Sequence, residues 1–126
     1  MAKFVNISNH PSVKWDEAQR AAVQALEDDL TIVDVQFPNV DPKAMSFRIE
    51  EQAEKLLAAV IADHGKDALI HIMGETGFVF AFVTAAKARD IWCAYSTTER
   101  IAVETKNADG TVTKTAVFKF VQFRSF

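Results

Sequence analysis

Three short stretches hold most of the residues that could do chemistry in this 126-residue chain. The first supplies Ser8, Asn9, His10 and Ser12. The second supplies Gly74, Glu75 and Thr76. The third supplies Ser96, Thr97, Thr98, Glu99 and Arg100. An imidazole such as His10 moves protons near neutral pH. Glu75 offers a hydroxyl acceptor, or a base if partial burial raises its pKa. Arg100 is the only cation in the three stretches, with Lys14 just behind the first, and a guanidinium grips a phosphate through two hydrogen bonds. Each group also has a plainer reading. His10 can bond its own loop, Ser96 to Thr98 can satisfy a turn, and Glu99 with Arg100 can be a surface ion pair of little worth. His71 lies inside an apolar run and reads as a satisfied core histidine. His64 suits the end of a helix and is given no role.

The elements around these stretches alternate. Lys3 to Ser8 reads as a strand, and Asn9 to Ser12 breaks it as a loop. Trp15 to Leu26 has helical spacing, with Asp16 and Gln19 placed like a capping box. Thr31 to Phe37 is a second strand. The second helix starts at Asp41-Pro42 or at Ser46 and stops at Gly65. Ala68 to Met73 is a third strand, Gly74 to Gly77 a turn, and Phe78 to Lys87 a helix apolar on nearly every side, hence buried. Asp90 to Tyr95 is a fourth strand, closed by the polar run Ser96 to Arg100. Ile101 to Thr105 and Thr111 to Phe126 read as two more strands around the turn Asn107 to Gly110, where Asp109-Gly110 tolerates positive φ.

This order predicts one α/β domain over residues 1–126, a three-layer Rossmann-like sandwich of four parallel strands plus a C-terminal β-hairpin. Ligands of such sheets sit outside the carboxyl ends of the strands, where all three polar stretches fall. Gly74 and Gly77 are only a fragment of a phosphate loop. The full glycine fingerprint and the Walker lysine motif are absent, so a dinucleotide or ATP site is not expected. Glu75 also opposes a phosphate directly at the third helix.

Composition narrows the class. Hydrophobic residues make up 49% and charged residues 25%, ordinary for a globular protein. A net charge of −3 argues against a general nucleic-acid coat, though not against a small nucleotide ligand. One cysteine, Cys93, excludes an internal disulfide and a cysteine zinc cluster. No signal peptide or membrane span is read, so the expected location is cytoplasmic. No metal cluster or cofactor is expected.

Three segments together carry a resemblance: Ser8-Asn9-His10-Pro11-Ser12 with Trp15, His71-Ile72-Met73-Gly74-Glu75, and Ser96-Thr97-Thr98-Glu99-Arg100 followed by a hairpin. They resemble small stand-alone CRISPR-associated proteins with a CARF-like fold, in order over nearly the whole chain. The resemblance implies a Rossmann-like two-fold homodimer that binds a cyclic oligoadenylate across the dimer cleft. Some such proteins are ring nucleases that cleave this messenger and switch off type III immunity. No fixed catalytic set carries over. On position and chemistry, His10 is the first choice for proton transfer and Glu75 the second. Arg100 would meet the developing charge, while Ser8, Asn9, Ser96 and Thr97 would orient ribose and phosphate. Ser12, Gly74, Thr76, Thr98 and Glu99 complete the expected ligand-binding set. Three functions remain open at this point: a ring nuclease, a non-catalytic sensor or sponge for the same ligand, and a Rossmann-like interaction module without a nucleotide site. Ring size is open as well.

Overall fold

The computed structural model describes residues 2–126; Met1, part of the expected single domain, lies outside them. Five strands form one sheet: β1 (Lys3–Ser8), β2 (Thr31–Gln36), β3 (Leu69–Ile72), β4 (Cys93–Lys106) and β5 (Val112–Ser125). Three α-helices accompany them among the described residues: α1 (Glu17–Leu26), α2 (Ser46–His64) and α3 (Thr76–Ala88). The order across the sheet is β2-β1-β3-β4-β5, with the first four parallel and β5 antiparallel to β4.

Strand alternation sends the sequence to two faces. Val5, Ile7, Ile70 and Ile72 face α2 and α3, where they bury with Leu57, Phe78 and Phe82. Phe4 faces α1 and buries with Trp15, Val23 and Leu30. Central parallel strands are apolar on both faces because both are covered. Asn6 and His71 are the exceptions: both are almost fully buried and both lie on the α1 face.

The helices start where local chemistry allows. Asp16 caps α1 by accepting the N–H of Gln19 at 2.9 Å, as expected. Of the two starts for the second helix, the later is taken. Asp41 instead closes a turn by accepting the N–H of Lys43 at 2.9 Å. Gly65, at φ 90°, ends α2, a conformation glycine adopts without strain.

The end of the chain corrects the sequence reading. Four parallel strands plus a separate hairpin would make six strands, but β4 does not stop at Tyr95. It runs unbroken through Ser96 to Arg100 and becomes the first arm of the hairpin. Threonines favour extended backbone, and nothing between Tyr95 and Ile101 is a glycine or proline. Polar side chains alone do not end a strand. The hairpin turn lies at Asn107 to Gly110, as expected, with Gly110 at φ 88°.

β4 pairs with β3 only at Ile70↔Cys93 and His71↔Ala94. Beyond that the two diverge, and β4 goes on with β5 alone. The β4–β5 ladder slips once. Thr97 pairs with Gln122 but Thr98 with Phe120, so Val121 has no partner. Such a bulge reverses the alternation of its own strand. Phe123, Phe120 and Phe118 thus stand opposite Ser96, Thr98 and Arg100 on one face.

Candidate functional site

β1, β2 and β3 each carry one polar residue inside an apolar run: Asn6 in Phe4-Val5-Asn6-Ile7, Asp34 in Ile32-Val33-Asp34-Val35, and His71 in Leu69-Ile70-His71-Ile72. The register aligns them, with Asn6 beside Asp34 on one side and His71 on the other. They form a polar row across the sheet on the α1 face. Ser96, two residues past the partner of His71, extends the row.

The bonds along this row have a direction. Asn6 Nδ2 donates to Asp34 Oδ1 at 2.9 Å and to the His10 carbonyl at 3.0 Å. Both of those atoms only accept, so the amide cannot be turned around. Asn6 Oδ1 therefore faces His71 Nδ1 at 2.8 Å and must accept from it. The ring proton then sits on Nδ1, and Nε2 keeps its lone pair. Ser96 Oγ, 2.7 Å away, donates to that lone pair. Gln19 Nε2 donates to Ser96 Oγ from the other side at 3.3 Å.

Electrostatics fits this assignment. Burial pushes the His71 imidazole down to about 4, so it is neutral near pH 7. Phe4, Trp15 and Phe123 enclose the ring, with centroids 6.2, 5.6 and 5.3 Å away. Burial raises the Asp34 carboxyl, but hydrogen bonds from Asn6 and from the N–H and Oγ of Ser12, together with the Arg20 guanidinium, outweigh it and hold the group below its ordinary range. Asp34 is thus an ionised anchor for the row.

The loop after β1 folds onto the same anchor. Ser12 donates its N–H to Asp34 Oδ1 at 3.0 Å and its Oγ–H to Oδ2 at 2.8 Å. Ser8 Oγ lies 2.9 Å from Asn6 Oδ1 and accepts the His10 N–H at 3.2 Å. These bonds present His10 and Asn9 to solvent at the edge of a cleft of about 640 Å³. Ser8, Trp15, Gln19, His71 and Ser96 are among its lining, with Lys14, Thr98, Phe118 and Phe120. Asp16 is its carboxylate. The indole nitrogen of Trp15 is buried and finds no partner among the described residues.

The expected site residues divide. Ser8, Asn9, His10, Gly74, Ser96 and Thr98 line this cleft. Ser12 is buried behind it, holding Asp34. Arg100 is exposed on the same face, paired with Phe118, one step beyond the lining. Thr97 faces the other side and donates to the Gln122 carbonyl at 3.2 Å. Glu99 pairs with Lys119 on that other side. Thr76 opens α3 and lines an apolar hollow on the α3 side. Glu75 caps α3, accepting the N–H groups of Gly77 and Phe78. It lines a groove between α2 and α3 rather than this cleft. Gly74 has no room for a side chain, since a Cβ would meet the Phe37 ring at 2.3 Å. Asn6, Asp34, Gln19 and the phenylalanines were not foreseen, and His71 was read as core only. The repeated polar residue at one position in three apolar strands was the available signal. No group of three or more His, Cys, Asp or Glu among the described residues is placed to hold a metal ion.

Residues 2–124 match the model of the Uncharacterized protein MJ1673 family. The chain belongs to this family. Among curated proteins and among solved structures, nothing matches it. The MJ1673 family description names no substrate or activity. No helix among the described residues of this MJ1673-family chain is long and apolar enough to cross a membrane.

Proposed function

We propose that this protein is a ring nuclease of the CARF-like, CRISPR-associated kind, cleaving a cyclic oligoadenylate in the cytoplasm. The observation that carries this reading is the composition of one cleft at the carboxyl ends of β1 and β3, beside Ser96 and Thr98 within β4. It gathers two histidines, hydroxyl and amide side chains and a lysine beside two phenylalanine rings. Adenine bases stack on aromatic faces, at about 1–3 kcal/mol per base. Lys14 in the cleft lining and Arg100 one step beyond it are cations for the phosphates.

The ligand carries its own nucleophile, the 2′-hydroxyl beside each phosphate. The protein has to hold that hydroxyl in line with the leaving 5′-oxygen, move protons and meet the developing charge. His10, exposed at the cleft edge, is placed for proton transfer. Ser8, Asn9 and Ser96 are placed to orient ribose and phosphate. The expected products are linear oligoadenylates ending in a 2′,3′-cyclic phosphate, formed equally well in EDTA. Incubation with cyclic tri-, tetra- and hexa-adenylate, with separation of the products, tests this. Rings left intact, or products carrying a 5′-phosphate, would overturn it.

One observation favours a second reading, a non-catalytic sensor or sponge. Asn6, His71 and Ser96 are already joined by hydrogen bonds, and the Glu75 carboxylate is engaged by α3. Tight binding without products would assign that role instead.

The same proposal includes a two-fold homodimer. Beyond Thr98 the β4–β5 ribbon leaves the body, and its two faces differ. Past the Glu99–Lys119 pair, Ile101, Val103, Thr105, Thr113, Thr115 and Val117 make an uncharged patch on one face. Phe80 and Phe126, both exposed, make a second apolar patch on the body, on the other side of the Glu99–Lys119 pair. A two-stranded ribbon alone is marginally stable in water, and β5 is an edge strand open to pairing. A second copy supplies both the cover and the strand.

A further inference from the structure

Ser96 is the one member of the polar row that is both bonded to the buried histidine and set in the cleft wall. The direction of the row gives it an unusual state. Its proton is committed to His71 Nε2, and Gln19 takes one of its lone pairs. The remaining lone pair is free for a donor in the cleft. A hydroxyl held this way accepts a proton from a ligand as it gives its own to the imidazole. The arrangement of hydroxyl, imidazole and an orienting third group is the general logic of an activated hydroxyl.

We infer that Ser96 and His71 are the proton-accepting pair of the site, with Asn6 and Asp34 as the positioning residues that set the direction of transfer. The inference rests on the ring-nuclease reading and names the base that the reading left open. The 2′-hydroxyl of the ligand gives its proton to Ser96 Oγ while the Ser96 proton passes to His71 Nε2. The freed electron pair of the 2′-oxygen forms the new bond to phosphorus. The bond from phosphorus to the 5′-oxygen breaks, and that oxygen takes a proton from the His10 imidazolium. After product leaves, His71 returns its proton through Ser96 to solvent water, and His10 is reprotonated from solvent. Protons and electron pairs balance, and no further reactant is needed. A neutral imidazole is required at the start, in keeping with its burial among Phe4, Trp15 and Phe123. His71 as a core histidine would need the same two bonds, but it would not need its serine partner to face a cleft.

The test combines substrate and ring. Cyclic tetra-adenylate is followed by calorimetry for affinity and by single-turnover cleavage for rate, in the wild type, Ser96→Ala and Ser96→Thr. Ser96→Ala should cleave at least ~100-fold more slowly, a loss well beyond its loss of affinity and on the scale of one lost proton-transfer group. Ser96→Thr, which keeps the hydroxyl, should recover most of the rate. A merely structural serine would lose binding and rate together. Nitrogen NMR of the free wild-type protein should show His71 protonated at Nδ1 and bare at Nε2. Cleavage by Ser96→Ala at the wild-type rate, or a His71 ring protonated at Nε2, overturns the inference while leaving ring cleavage itself intact. Wild-type protein that leaves the three rings whole overturns the ring-nuclease reading and this proton route with it. The NMR result then still decides whether the row has the stated direction.

Discussion

His71 ties stability to pH. Its folded value of about 4 lies below the 6.5 of an unfolded histidine. Between those values the unfolded chain binds a proton that the folded chain refuses, so stability falls as pH drops from 6.5 towards 4. The gap corresponds to about 3 kcal/mol. Asp34, the charged group at the far end of the row, acts with the same sign at lower pH. Its depressed carboxyl contributes stability above its ordinary value, and that is lost as pH falls through the folded one. Urea unfolding of wild type and His71→Gln at pH 7 and pH 4.5 checks the histidine. The cost of the substitution should shrink by about 2–3 kcal/mol at the lower pH, and a cost independent of pH would contradict the assignment. At this scale the sequence was partly legible. Ser8 and His10 were legible because polar residues after an apolar run mark the end of β1; Ser96 carried the same signal although β4 runs on through it. Asn6 and Asp34 were passed over because a polar residue inside a strand reads as noise until the register aligns it with its neighbours.

Glu75 shows how an element can claim a residue. The first N–H groups of a helix have no partner within it, and Glu75 accepts two of them at the start of α3. Its position after a strand and glycine suggested a base, and the same position makes it a cap. Replacing it with alanine should cost about 0.5–2 kcal/mol in thermal or urea unfolding. Under the proposed ring-nuclease function, capping as its whole role would leave cleavage of cyclic tetra-adenylate unchanged in the variant, and a loss of rate without loss of stability would restore it as a base. The α3 start at Thr76, two residues before the predicted Phe78, has the same cause, since the cap and not the first apolar residue sets the boundary. The single long β4 was hidden for a different reason. Ser96 to Arg100 looks like a loop by polarity, yet its backbone preference is extended, and the hairpin partner Phe118 to Phe123 fixes it.

The whole molecule is a compact body with a projecting ribbon. About nine residues of β4 extend past Thr97, which at ~3.3 Å per residue reaches roughly 30 Å. Ile101 and Val117 face each other across the ribbon on its uncharged side, 40% and 51% exposed. Light scattering should give twice the mass of one chain at micromolar concentration. Ile101→Lys with Val117→Lys should shift the protein to one chain per particle with its circular dichroism retained. A wild-type monomer would argue against the dimer. The βα alternation made the body predictable, because each helix had a stripe to bury and each strand two faces to cover. The two arms of the ribbon and its turn were legible as well, at Ile101 to Thr105 and Thr111 to Phe126, but their continuity with the fourth strand was not.

The unpaired Val121 has a consequence of another kind. Its side chain does little for the fold, being half exposed at the edge. What it supplies is a count. With Val121 present, Phe123 and Phe120 stand on one side although an odd number of steps separates them. Remove that single position and the ladder closes evenly with every pairing kept, because Phe123, Gln122 and Phe120 then follow in strict alternation. Phe118 and Phe120 would stay in the cleft, and only the local bend of β5 would be lost. The protein should therefore tolerate almost any substitution at Val121, and its deletion as well, with thermal unfolding of the deletion variant as the check.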